Sequence, residues 1–173
     1  MRIRFYNARI LTMSDNTVLE GELWTADKKI EYIGQSKPSD KPFDREIDCK
    51  GNLLMPGLKD AHTHSAMTFL RSLADDKPTP DWLKEDIFPN EAKLTDEDIA
   101  DFQSLAIMEY VSGGCVSAMD MYLRPYVTAE VFSQAGMRCA IVSGLNDFTF
   151  SVKEMEEAIR AAGYQPIYKD WGF

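Results

Sequence analysis

The amino-acid sequence predicts an α/β fold, and three observations carry that expectation. Residues 1–55 fall into short, apolar-alternating runs separated by turn residues. From Pro56 onward, strand-like and helix-like stretches alternate. The first strand of that alternation ends in His62-Thr63-His64, which holds the only two histidines of the 173-residue chain. Alternating strands and helices are the pattern of a parallel sheet with helical crossovers.

The elements follow in order. RIRFYNARILTM alternates imperfectly and ends at the turn-like Ser14-Asp15-Asn16. VLEGELWTADKKIEYIG reads as a hairpin about Ala26-Asp27-Lys28-Lys29. SKPSDKPFD is a polar loop with prolines. REIDCKGNLLMPG holds two further short strands around Lys50-Gly51-Asn52. LKDAHTH is a short strand, AMTFLRSL has helical spacing, and DWLKEDIF is a second short amphipathic piece closed by Pro89.

TDEDIADFQSLAIMEYVSGG is the clearest helix. Thr95 is the expected N-cap, Asp98 stands at the capping-box offset, acids crowd the first turn, and Gly113-Gly114 stop it. Ile99, Phe102, Leu105, Ala106 and Val111 form the expected buried face. CVSAMDMY then reads as a buried strand, TAEVFSQAG as a helix ending at glycine, and RCAIVSG as a strand. SVKEMEEAIRAAG reads as a helix with Ser151 as N-cap and Glu154 at the capping-box position.

Composition narrows the function. The net charge is −9, from 28 acidic and 19 basic residues, and no basic patch suggests a nucleic-acid partner. No apolar run approaches the ~20 residues needed to cross a bilayer. Charges interrupt the N-terminal apolar positions, so a signal peptide is not expected. Cys49, Cys115 and Cys139 are widely spaced and form no CxxC pair. All three read as buried small apolar residues, Cys115 and Cys139 at strand starts, and a reducing cytoplasm is the expected setting.

The histidine pair carries the chemistry. Side chains at i and i+2 on a strand point the same way, about 6.5–7 Å apart along the chain. Two imidazoles so placed can converge on one metal, and zinc or iron accepts imidazole nitrogen readily. Spacing alone favours a chance pair or two surface histidines over a metal site, since two ligands do not complete a tetrahedral site. The position favours the metal, because folds of this kind place their chemistry at the C-terminal ends of parallel strands.

NLLMPGLKDAHTHSAMTFLRSLADD resembles the amidohydrolase superfamily, in which a Pro-Gly turn leads into a first barrel strand ending in His-x-His. HTHSAMTFLRSLADD, DWLKEDIFPNEAKLT and VSAMDMY resemble the branch of S-adenosylhomocysteine and 5′-methylthioadenosine deaminases and of chlorohydrolases. The likeness runs from about residue 2 to about residue 155. It implies that residues 1–55 are the N-terminal strands of a small composite β-sandwich. Residues 56–173 would then be the first β/α units of a (β/α)8 TIM barrel. It implies that His62 and His64 are metal ligands, zinc ahead of iron, and that Trp82 and Glu91 line a nucleoside pocket.

A carboxylate can accept from two vicinal ribose hydroxyls, and an indole offers a flat apolar wall. By pattern alone Glu91 is equally a solvated residue after Pro89, and Trp82 an ordinary core residue. Asp120 stands at a strand end, either facing the site or capping the next turn. The reaction implied is hydrolytic deamination of an adenosine-type nucleoside.

A whole barrel needs ~250 residues, and the superfamily draws its remaining ligands and its acid–base groups from later strands. The expectation is therefore a truncated chain, inactive alone, whose status as an enzyme stays open. The alternatives are a non-catalytic metal- or nucleoside-binding fragment, a chlorohydrolase-type enzyme acting on a heterocyclic ring, and a non-enzymatic α/β domain. An incomplete barrel exposes a parallel edge, through which a homo-oligomer would form. Residues 156–173 match none of the motifs expected of the family at that point.

Overall fold

The computed structural model describes residues 1–142. The helix expected from Ser151 and the segment 156–173 lie outside them. The chain divides into two compact units, Met1–Gly57 and Leu58–Phe173.

The first unit is a five-stranded mixed sheet built from β1 (Arg2–Leu11), β2 (Val18–Ala26), β3 (Lys29–Gly34), β4 (Arg45–Asp48) and β5 (Leu53–Leu54). The hairpin expected about Asp27 is present, with β2 antiparallel to both β1 and β3. β4 and β5 both run parallel to β1. The imperfect alternation of β1 has a structural cause. Its register slips between Phe5 and Ala8, and Asn7 adopts the left-handed conformation, as a bulge requires. Gly21 is needed for a different reason: a Cβ there would lie 2.1 Å from the Gly34 carbonyl oxygen on β3.

Glu22 is buried at 3% exposure beneath this sheet. Its carboxylate accepts from Arg4 Nε at 2.9 Å and from Trp24 Nε1 at 2.8 Å. The Arg4 guanidinium, opposed by burial and helped by Trp24, holds Glu22 down to about 2. A carboxylate whose folded pKa is depressed stabilises the fold above its unfolded value and loses that contribution as pH falls through the folded one. Stability of this unit should therefore fall by about 3 kcal/mol between pH ~4.5 and pH ~2. Arg4→Ala should cost a similar amount at neutral pH, about 3 kcal/mol, by stranding the carboxylate. Denaturation midpoints across this pH range for both proteins check the expectation.

Among the described residues the second unit contains a three-stranded parallel sheet in the order β6 (Leu58–Thr63), β7 (Cys115–Met121), β8 (Arg138–Val142). The helical spacing after the histidines becomes a 3-10 helix, Ser65–Leu70, shorter than AMTFLRSL. DWLKEDIF does not stop at Pro89. Helix α1 (Thr79–Trp82) continues through a π turn, Leu83–Ile87, into α2 (Phe88–Glu91), whose second residue is Pro89. Proline cannot donate to the carbonyl four residues back and its ring crowds that carbonyl, so a widened turn is where it fits.

Helix α3 (Asp96–Ser112) carries the expected capping box. Thr95 Oγ1 accepts from the Asp98 amide at 3.1 Å, and Asp98 Oδ2 accepts from the Thr95 amide at 2.8 Å. Its C-terminus is Gly113, followed by Gly114 at φ +82. The buried face differs from expectation: Leu105 is 43% and Val111 63% exposed, while Gln103 is fully buried beside Ile99, Ala106 and Ile107. A buried glutamine sets the stripe, for a reason given below.

Helix α4 (Pro125–Gln134) starts three residues before TAEVFSQAG, because Pro125 occupies the first helical position that proline favours. Phe132 of α4 meets Ile107, Ala118 and Met137 in one core cluster, and Ile99 meets Ala66, Leu94, Tyr122 and Val127 in another. Cys49, Cys115 and Cys139 are all only partly buried, short of the burial expected of them. Burial still pushes the Cys139 thiol up to about 12, so it is inert at neutral pH.

Candidate metal centre

β6 brings His62 and His64 to its C-terminal end. Thr63, between them, points to the helix side, where its hydroxyl meets that of Tyr110 on α3. His64 follows the last residue of β6 and lines the same cleft as Thr63 and Tyr110. Their ring centroids are 5.0 Å apart and their planes nearly perpendicular, at 84°.

Each histidine is held differently. His62 is exposed, and its backbone amide donates to Asp60 Oδ1 at 3.1 Å. His64 is partly buried, and its Nδ1 lies 2.6 Å from the Met121 carbonyl oxygen at the end of β7. A carbonyl oxygen can only accept, so Nδ1 carries the hydrogen, and in the neutral ring Nε2 is then the nitrogen with the lone pair. That is the arrangement by which a ligating histidine is oriented through its other nitrogen.

Two imidazoles with ring centroids 5.0 Å apart offer half the donors of a tetrahedral metal centre. Among the described residues no group of three or more His, Cys, Asp or Glu is arranged to hold a metal ion.

Trp82 and His64 line one cleft of about 350 Å³, together with Ser65, Thr68 and Tyr110. Trp82 is anchored by its indole nitrogen, which donates to the Leu73 carbonyl at 3.2 Å. It is not an ordinary core residue. Glu91 lies outside that lining but is half-buried, and burial pushes its carboxyl up, while Tyr122 and the charge of His64 act in the opposite direction. The Tyr122 hydroxyl has no partner of good hydrogen-bond geometry. Burial, then the nearby Glu91 charge, pushes its pKa well above the usual phenol value. Glu91 is therefore not a freely solvated carboxylate.

Asp120 neither faces the histidine cleft nor caps the turn that follows it. It is fully buried on the helix side of β7. Its Oδ2 accepts from the backbone amide of Ser65 at 2.8 Å and from Gln103 Nε2 at 3.4 Å. Gln103 Oε1 in turn accepts from Thr128 Oγ1 at 3.3 Å. Burial pushes the Asp120 carboxyl up, against the Ser65 hydrogen bonds and the charge of His64. Gln103, Thr128 and the Met121 carbonyl were not foreseen. The one available signal was Gln103 standing four residues after Ile99, on the apolar stripe itself.

The amidohydrolase family pattern matches residues 53–164. The chain belongs to the amidohydrolase family. Among curated relatives, a 5-methylthioadenosine/S-adenosylhomocysteine deaminase of Acetivibrio thermocellus is 40% identical over 176 residues, covering 99% of this chain and 39% of the relative. A 5'-deoxyadenosine deaminase of Methanosarcina barkeri is 38% identical over 141 residues, covering 80% of this chain and 32% of the relative. Among solved structures, an adenosine deaminase from Xanthomonas campestris with bound zinc superposes with a TM-score of 0.78 at 29% identity. That match covers 98% of this chain and 40% of the solved one. The chain thus spans about two fifths of the length of the first of these relatives. The fold is accordingly an α/β arrangement like that of the amidohydrolase enzymes, in the part of it that this chain covers. No helix among the described residues is long and apolar enough to cross a membrane.

Proposed function

We propose that this chain supplies the first two metal ligands and part of the substrate pocket of a metal-dependent hydrolase. Its reaction is the hydrolytic deamination of an adenosine-type nucleoside such as S-adenosylhomocysteine or 5′-methylthioadenosine. The observation that carries this reading is the tether of His64 Nδ1 to the Met121 carbonyl at 2.6 Å, which leaves Nε2 facing away as a ligand. The names of the deaminase relatives support the substrate class.

In this reading His62 and His64 hold a divalent metal, zinc ahead of iron, in keeping with the zinc in the Xanthomonas enzyme. A metal so held supplies a water made nucleophilic at neutral pH. Trp82 provides an apolar wall to the cleft, and Glu91, in its ionised form, accepts from the ribose hydroxyls. The other ligands and the proton-transfer groups come from outside this set of residues. The same reading makes Met1–Gly57 one part of a composite β-sandwich and the β6–β7–β8 sheet the start of a TIM barrel. It places the protein in the cytoplasm and allows copies to associate through the open sheet edge.

Titration of 5′-methylthioadenosine into the zinc-loaded chain, with ammonia assayed in the same samples, tests it. Saturable binding is expected, weakened about 10- to 100-fold by Glu91→Gln through loss of charge-assisted hydrogen bonds. Absence of binding at millimolar nucleoside, or binding indifferent to Glu91→Gln, contradicts the reading. Binding without ammonia leaves the pocket in place and restricts this chain to a binding role.

A further inference from the structure

His64 is gripped by two successive residues of β7. The Met121 carbonyl takes the ring hydrogen at 2.6 Å, and the Asp120 carboxylate takes the amide hydrogen of the next residue, Ser65, at 2.8 Å. One contact is made by a backbone carbonyl of β7 and the other by the side chain of the preceding residue. Asp120 cannot drift, because Gln103 of α3 donates to the same oxygen and is itself held by Thr128 of α4. Asp120, Gln103 and Thr128 are all fully buried. Buried polar groups are costly unless their hydrogen bonds are made, and Asp120 Oδ1 has no partner of good hydrogen-bond geometry, so these three groups are an expensive way to fill a core that Leu or Val could fill. Here the network runs from two helices to the single backbone amide that follows His64.

We propose that Asp120 is a positioning residue for His64. Through the Ser65 amide, and backed by Gln103 and Thr128, it fixes the backbone on which the imidazole stands, so that Nδ1 stays on the Met121 carbonyl and Nε2 is presented for coordination. The ring-orienting partner of His64 is thus a backbone carbonyl, and the carboxylate that secures the geometry acts one residue further along the main chain. This rests on the assignment of His64 as a ligand, but the orientation itself is measurable without any metal.

Two variants separate the roles. Asp120→Asn keeps an oxygen that accepts from Ser65, and Gln103 can turn its amide to suit. Asp120→Leu has similar size and removes the acceptor, leaving the Ser65 amide and Gln103 Nε2 without it at some cost in stability. The tautomer of His64 is read from its ring-nitrogen resonances in the metal-free chain at a pH where the ring is neutral. The wild-type chain and Asp120→Asn should show the Nδ1–H form. Asp120→Leu should show a mixture of both tautomers, with its thermal unfolding still cooperative. In zinc titrations of the same samples, Asp120→Leu should bind about 10- to 100-fold more weakly than wild type, and Asp120→Asn within a few-fold of it.

A pure Nδ1–H tautomer retained in Asp120→Leu overturns the proposal whatever the zinc affinity. If Asp120→Leu unfolds, Gln103→Met replaces it, and an unchanged tautomer there overturns the proposal equally. If the tautomer shifts as expected while the wild-type chain takes up no zinc, the positioning role stands and the metal-centre reading fails.

Discussion

Replacing Phe132 by alanine should destabilise the second unit by about 3–5 kcal/mol. Phe132 is 1% exposed and joins three layers: Ile107 from α3, Ala118 from β7, and Met137 just before β8. Truncation removes the transfer energy of the ring and leaves a cavity that elements held by backbone pairing cannot collapse to fill. Against a typical domain stability of about 5–15 kcal/mol, such a loss is large. Its consequence extends to the site, because Ala118 and Asp120 share one strand face and the Met121 carbonyl follows directly. Urea denaturation measures the effect, and Phe132→Leu should recover most of it. A loss below about 1 kcal/mol for the alanine variant would mean that β7 is positioned by other contacts.

His62→Ala and His64→Ala should each weaken zinc binding by at least about 100-fold, beyond what loss of an outer partner costs. The two should differ in the metal-free protein. His62 is exposed and, among the described residues, its side chain has an edge-on contact with His64 and no hydrogen bond, so its removal should change stability by less than about 0.5 kcal/mol. His64 carries the hydrogen bond to Met121, and its removal should cost about 1 kcal/mol. Calorimetric zinc titration and thermal unfolding of the two variants provide both comparisons. Equal stability losses would mean that the His64 tether contributes nothing in solution.

The sequence made the architecture legible wherever local chemistry dictated it. Thr95 and Asp98 announced the start of α3, Gly113-Gly114 its end, and Asp27 the hairpin turn, because caps and turns are decided within a few residues. The His-x-His motif at the end of the first parallel strand was legible for the same reason: i and i+2 on a strand share a face.

What the sequence concealed depends on partners distant in the chain. Gln103 has no role legible in the sequence, because its partners Asp120 and Thr128 lie 17 and 25 positions away. Asp120 was open between two roles and has a third, since its partner is a backbone amide 55 positions away. Leu105 and Val111 were assigned to the core by hydrophobicity, yet the stripe follows the polar network rather than the count of apolar residues. Pro89 read as a terminator, because a π turn leaves no signature in composition.

The central claim is that His62 and His64 act together as metal ligands, with Nε2 of His64 as one donor. It is tested most directly by following the imidazole nitrogens of the wild-type chain as zinc is added. Both rings should respond together, with the coordination shift of His64 at Nε2 while Nδ1 keeps its hydrogen. Ring resonances that stay unchanged while zinc is taken up elsewhere, or a response confined to His62, would contradict the account.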